Sequence, residues 1–302
     1  MDFSKEFTYS ELMEYLNEVQ NEHDFVSLSY IGQSVFGRSI PIITLGDRAA
    51  QKSVLYVATH HASENICTSI LLRFLDDYIY AYERFAQMYQ INMRYLFKTR
   101  RIYIVPMLNP DGVEYRLCGI DGNNPIKERI VAYNGTEDFS KWNANGRGVD
   151  LNHNYNAYFE KYKAHEEKEG IVYGARGYSG EYPESEPEVF ALANYIRYNA
   201  QELEGIITLH SQGEEIYCSS RDKELPRGEH VGKLISRLTG YRLAKAQGSS
   251  ACGGLTDWAI KELDKPSFTI ECGVGENPLP PSQIPSIYAK LRETLFTFPI
   301  LF

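Results

Sequence analysis

Four apolar runs of strand length punctuate this chain, and helical periodicity fills the gaps between them. SVLYVAT (53–59), RIYIVPML (101–108), GIITLH (205–210) and SFTIE (267–271) are too continuously apolar for strands exposed on one face. Strands of this kind are buried on both sides, so they need helices above and below a sheet. The intervening pattern supplies them. Ile66, Ile70, Phe74 and Ile79 space a helix from Ser63 to about Ala86, and Ser185-Glu186-Pro187-Glu188 opens another through about Tyr198. Further helices are expected over 228–240, near 255–263 and from about 285. Thr8 and Glu11 fit a capping box ahead of Leu12, Tyr15, Leu16 and Val19, and residues 26–46 read as strand, turn at Gly37 and strand. Residues 119–185 are rich in Gly, Asn, Tyr and charge and show little long periodicity, which suits an excursion carrying function or a mobile region. No linker or internal repeat interrupts the order. The expected class is α/β, a three-layer α/β/α arrangement around a mostly parallel or mixed sheet, as one domain over residues 1–302.

Composition narrows the function. The net charge is −9 and the pI about 5.4, so no basic footprint for nucleic acid is present. No stretch approaches the roughly 20 apolar residues of a membrane span. The N-terminal MDFSKEFTYSELMEYL carries acids early and no apolar signal region, which leads to the expectation of a cytoplasmic protein. The five cysteines are odd in number and lack C-x-x-C spacing, so reduced thiols are expected rather than a disulfide framework or a thiolate metal knot. Oligomeric state is left open.

Three polar signals stand at the exits of predicted strands: His60-His61-Ala62-Ser63-Glu64, Thr208-Leu209-His210 and Thr269-Ile270-Glu271. In such sheets, loops at strand ends converge on one crevice. H-x-x-E alone is weak, because Glu64 could simply favour a helix N-terminus. A distant third ligand raises its weight, since catalytic zinc takes three N/O ligands and leaves one position for water.

These pieces, in the order VATHHASE, PMLNPDGVEY, GVDLNHN, ITLHS, GGLTDW and SFTIECG, resemble the zinc carboxypeptidase (carboxypeptidase A/B-like) family over nearly the full length. The resemblance implies a central eight-stranded mixed sheet with helices on both faces, a phosphorylase/hydrolase-like fold. It implies one Zn2+ per chain held by His61, Glu64 and His210, with Glu271 as general base. His60 lies one residue off the pattern and is expected as a hydrogen-bonding neighbour. The family pair that binds a terminal carboxylate falls on Asn152 and His153, where a histidine replaces the expected arginine. The missing bidentate guanidinium argues against an ordinary C-terminal exopeptidase. Trp142 is followed by Asn143 instead of the carbonyl-polarising arginine of digestive members. WNANGRGVDLN matches a bacterial arrangement that makes Arg147 the candidate for that role, with a loop salt bridge as the alternative.

HSQGEEIY, GYSGEYPESEPE, GGLTDW and ECGVGENPLP look like the bacterial γ-D-glutamyl-L-diamino acid peptidase branch. That likeness implies hydrolysis of a γ-D-glutamyl bond to a diamino acid, such as meso-diaminopimelate, in peptidoglycan stem peptides. Thr256 falls where the side-chain pocket is set and implies a polar pocket. Arg221 is a candidate counter-ion for a second carboxylate, the alternative being a solvated loop arginine. A general metallocarboxypeptidase or a small-molecule amide deacylase on the same scaffold is the nearest rival reading, and a non-catalytic peptide-binding module the remote one.

Overall fold

A computed structural model describes residues 1–302. Its strands are β1 (Val26–Gln33), β2 (Ser39–Leu45), β3 (Lys52–Ala58), β4 (Gln87–Met88), β5 (Ile91–Asn92), β6 (Arg100–Val105), β7 (Leu203–His210), β8 (Glu215–Tyr217), β9 (Arg242–Ala244) and β10 (Ser267–Glu271). Eight of them form one sheet in the order β1-β2-β6-β3-β7-β10-β8-β9, while β4 and β5 form a separate small ribbon. The central pairs β6/β3, β3/β7 and β7/β10 are parallel. The β1/β2, β2/β6 and β10/β8 pairs are antiparallel, so the sheet is mixed, as expected.

The four apolar runs occupy the middle of this sheet for the reason their sequence gives. Along β3, Val54, Tyr56 and Ala58 enter one core, and Leu55 and Val57 enter the other. That is the two-residue alternation of a strand with apolar cover on both sides. The first core is closed by helices Tyr9–Glu22, Ile66–Glu83, Pro226–Thr239 and Ile284–Thr297. The second is closed mainly by Pro187–Tyr198 and Leu255–Leu263. Each fully buried Leu or Ile in these layers contributes about 1.5–3 kcal/mol. The first helix opens on the expected capping box, with the Glu11 N–H donating to Thr8 Oγ1 and the Thr8 N–H donating to Glu11.

Two local expectations differ. The helix expected from Ser63 begins as a short 3-10 turn, Ala62–Glu64, and becomes α-helical from Ile66 to Glu83. The segment 119–185 contains two helices, Lys127–Asn134 and Phe159–Glu169. The first buries only Ile130, and the second only Phe159, Tyr162 and Glu166, so neither leaves a clear apolar stripe in the sequence. Gly135 and Gly170 end them in the left-handed conformation.

One glycine ties the later elements to the 150–157 loop. Gly253 has φ +80°, and a Cβ there would lie 2.4 Å from the His153 carbonyl oxygen. Its N–H donates to the Ala157 carbonyl at 2.7 Å, and its own carbonyl accepts from the Tyr155 N–H at 3.0 Å. Gly37 also has positive φ but has no atom within 4 Å of the Cβ position. Gly37→Ala is therefore expected to cost about 1 kcal/mol, and Gly253→Ala at least about 2 kcal/mol, in urea unfolding. Equal midpoints for the two variants would contradict the packing described.

Candidate active site

The parallel strands place their carboxyl ends along one edge, and the site is built there. Beyond β3 the chain passes through Thr59, His60 and His61 before the 3-10 turn. Asn109, at the exit from β6, holds this segment: its Nδ2 donates to the His60 carbonyl at 3.0 Å and to the Ala144 carbonyl at 3.0 Å. The Ala62 N–H donates to the Asn143 carbonyl at 3.0 Å. The turn sets His61 and Glu64 on one side, three residues apart. β7 ends on His210, and β10 ends on Glu271, whose Cα is in register with that of His210. Neighbouring strands lie about 4.8 Å apart, so the two side chains emerge at one level.

His61, Glu64 and His210 converge. His61 Nδ1 lies 3.0 Å from Glu64 Oε1, His210 Nδ1 lies 2.9 Å from Glu64 Oε2, and the two Nδ1 atoms are 3.3 Å apart. One nitrogen or oxygen from each of the three residues falls within 4.8 Å of the others. Tetrahedral ligands at zinc distances of about 2.0–2.1 Å sit about 3.3 Å from one another, so this donor set fits a zinc ion. On its far side, His61 Nε2 lies 3.0 Å from Asp150 Oδ1. A carboxylate only accepts, so Nε2 carries the proton and Nδ1 can present its lone pair to a metal.

The electrostatics agree with that need for a cation. Burial alone would lower the His61 pKa, but the carboxylates of Glu64 and Asp150 on either side hold it well above the usual value. Burial would likewise raise Glu64, yet His61 and His210 bring it down to about 2. Asp150 resists its own burial and stays well below the usual range through the charges of His61 and His153 and its hydrogen bonds. Burial first, and then the Glu64 charge, push Glu271 well above the ordinary carboxylate range.

A cavity of about 210 Å³ opens beside these groups, lined by His61 and Glu271 together with Asn152, His153, Thr256 and Asp257. The structure thus places His61, Asn152, His153, Thr256 and Glu271 on one cavity. Glu64 and His210 are buried behind the cavity wall at 6% and 1% exposure, where with His61 they could hold a metal ion. Arg147 is the residue not brought in. Its Nε donates to Glu186 Oε2 at 2.7 Å, its guanidinium reaches the Ser185 carbonyl at 2.9 Å, and it lines a different depression beside Tyr182 and Phe190. That contact is the loop salt bridge named as the alternative. His60 is buried, with Nε2 2.9 Å from the Tyr155 hydroxyl and its ring stacked on His210 at 5.3 Å. Thr256 lines the cavity with its hydroxyl engaged, accepting from Thr269 at 2.8 Å and lying 3.1 Å from Ser267 Oγ.

Sequence reasoning missed three residues. Asp150 stands in the quoted GVDLN, but nothing local shows that it meets a histidine 89 positions away. Asp257 follows Thr256 and is 6% exposed, with Oδ1 lacking any hydrogen-bond partner. Burial pushes its carboxyl up to about 7, against the pull of Arg221. Asn277, from the loop after β10, donates to Glu64 Oε1 at 3.2 Å.

The zinc carboxypeptidase family profile matches residues 12–294. The chain belongs to the zinc carboxypeptidase family. It is 33% identical over 285 residues to the γ-D-glutamyl-L-diamino acid endopeptidase 1 of Lysinibacillus sphaericus, covering 94% of this chain and 70% of that protein. It is 26% identical over 262 residues to carboxypeptidase B of Rattus norvegicus, covering 82% of this chain and 58% of that protein. Its fold matches the crystal structure of thrombin-activatable fibrinolysis inhibitor with a TM-score of 0.77, at 21% identity, over 99% of this chain and 77% of that one. The chain is therefore a hydrolytic metalloenzyme with the expected fold and a His-Glu-His cluster that could bind one metal ion.

Two variants test the site. Asp150→Asn is expected to weaken zinc binding about 10–100-fold in a competitive chelator titration, because it removes the charge behind His61. Unchanged affinity would remove Asp150 from that role. Arg147→Gln is expected to lower Tm by about 2 °C and leave kcat within about threefold. A hundredfold loss of kcat with an unchanged Tm would return Arg147 to the carbonyl-polarising role.

Proposed function

We propose that this enzyme hydrolyses the amide bond between γ-D-glutamate and a diamino acid, meso-diaminopimelate in the first instance, in peptidoglycan stem peptides. The observation that carries the reading is Asp257: a buried carboxylate with an unpartnered oxygen, in the cavity that also holds His61 and Glu271. An unpaired buried carboxylate is costly, and a substrate ammonium group relieves that cost. The second amino group of a diamino acid supplies one. The identity to the Lysinibacillus sphaericus enzyme supports the same bond.

The bound metal would supply a water of lowered pKa and a Lewis acid for the carbonyl oxygen. Glu271 takes the proton of the attacking water and returns it to the leaving amine. Its raised pKa suits a group that must hold that proton between the two transfers. Asn152, His153 and Thr256 line the side that receives the leaving residue. No helix is long and apolar enough to cross a membrane. All five cysteines are free.

The test offers zinc-loaded protein L-Ala-γ-D-Glu-meso-diaminopimelate beside α-linked peptides with apolar, basic and acidic C-termini, with products read by mass spectrometry. Cleavage of the γ-linked bond alone is expected. Release of ordinary α-linked residues at equal rates would favour the general carboxypeptidase reading. Glu271→Gln should retain one zinc per chain and lose at least about a thousandfold in kcat. Normal turnover in that variant would sink its assignment as base.

A further inference from the structure

The motif GYSGEYPESEPE (177–188) lines no part of the cavity, yet it grips the segment that carries Asp150. The Asp150 N–H donates to the Tyr178 carbonyl at 2.7 Å, and Asp150 Oδ2 accepts from the Gly177 N–H at 3.1 Å. Further along, Asn154 Nδ2 donates to the Ser179 and Tyr182 carbonyls at 2.6 and 3.1 Å, and Asn154 Oδ1 accepts from the Glu186 N–H at 3.0 Å. Ahead of Asp150, Asn145 Nδ2 donates to Glu186 Oε2 at 2.6 Å. Glu186 thus holds both ends of the stretch 145–154, one with its side chain and the other with its backbone.

Asn145 is wholly buried and closes the turn that leads to Asp150. Its Oδ1 accepts from the Arg147 N–H at 3.1 Å and the Val149 N–H at 3.0 Å, and its own N–H donates to the Val149 carbonyl at 2.8 Å. With Oδ1 committed to the turn, Nδ2 must find an acceptor elsewhere, because an unpaired buried amide donor is costly. Two carboxyl groups are in range. Glu188 Oε2 lies at 3.4 Å, while its other oxygen accepts from the Val35 N–H at 3.2 Å. Burial first, and then the Asp111 and Glu186 charges, push the Glu188 carboxyl up to about 8, so near neutral pH it carries a proton and accepts weakly. That leaves Glu186, ion-paired to Arg147 at 2.7 Å, as the strong acceptor.

We propose that Glu186 is a positioning residue for the metal site: through Asn145 it sets the turn that delivers Asp150 to His61 Nε2. The direction of the His61 lone pair then depends on an acid that lines no part of the cavity. This role is independent of which amide bond the enzyme cuts. Reach decides it more than charge. A carboxamide of the same length still offers Asn145 an oxygen, whereas a carboxylate one methylene shorter is drawn back from it.

The experiment measures zinc affinity by competitive chelator titration. Glu186→Asp is expected to weaken zinc about tenfold, and Glu186→Gln to stay within about threefold of the wild type. Because Glu186 acts through Asp150, Glu186→Asp added to Asp150→Asn should cost no more than about threefold beyond Asp150→Asn alone. Wild-type affinity in Glu186→Asp, equal losses in the two Glu186 variants, or losses that multiply in the double variant would each overturn the role. Coupling is reciprocal, so zinc should in turn steady the turn. In the wild type it is expected to slow amide hydrogen exchange across 145–149 at least about threefold more than across the helix Tyr9–Glu22. Equal slowing in the two segments overturns the proposal even where a variant does not fold.

Discussion

The site closes on the carboxylate of Glu64. One of its oxygens meets His61 and Asn277, and the other meets His210 and the Ser211 N–H. A buried carboxylate in this position is tolerable only if every lone pair is matched. Asp150 adds a second buried carboxylate on the far side of His61. Two acids thus enclose one imidazole, and His61, Glu64 and His210 would hold a divalent cation that offsets this excess of acceptors. The loop after β10 is drawn into the same arrangement, because Asn277 also accepts from the Ser211 hydroxyl at 2.8 Å.

That convergence depends on strand register. β3 sits between β6 and β7, and β10 lies beyond β7, all four running the same way. Their apolar residues fix the register from both faces, because a one-residue slip would turn Tyr56 and Leu55 into each other's cores. With register fixed, His61, His210 and Glu271 reach one edge of the sheet. The deep packing of the sheet therefore helps to position the candidate metal site.

Much of this was legible in the sequence. The continuous apolar runs announced a doubly covered sheet, and His61, Glu64, His210 and Glu271 stood at strand exits where loops converge. What stayed hidden was pairing across distance. Asp150 and Asp257 were both inside quoted motifs, yet a carboxylate's role depends on which residue it meets and whether it is partnered, and neither follows from spacing. Arg147 shows the converse. Its motif position suggested a role on the substrate carbonyl, while the structure gives it Glu186, a buried acid whose need for a cation the sequence did not reveal. The helices Lys127–Asn134 and Phe159–Glu169 were invisible because a helix that buries one to three side chains leaves almost no periodic trace.

The chemistry and the selection of substrate are carried by different parts of the chain. Strand exits position His61, His210 and Glu271, and their geometry is locked by the two cores. The cavity wall carrying Asn152, His153, Thr256 and Asp257 is built by the 150–157 loop and the start of the helix Leu255–Leu263, fastened to each other through Gly253 and the Cys252 carbonyl. A guanidinium at position 153 would carry charge regardless of its neighbours, whereas His153 takes its hydrogen-bonding sense from the carbonyl beneath it. That sense is thus set by Cys252 as much as by the histidine itself, and the backbone oxygen stays in place whatever side chain stands at position 252.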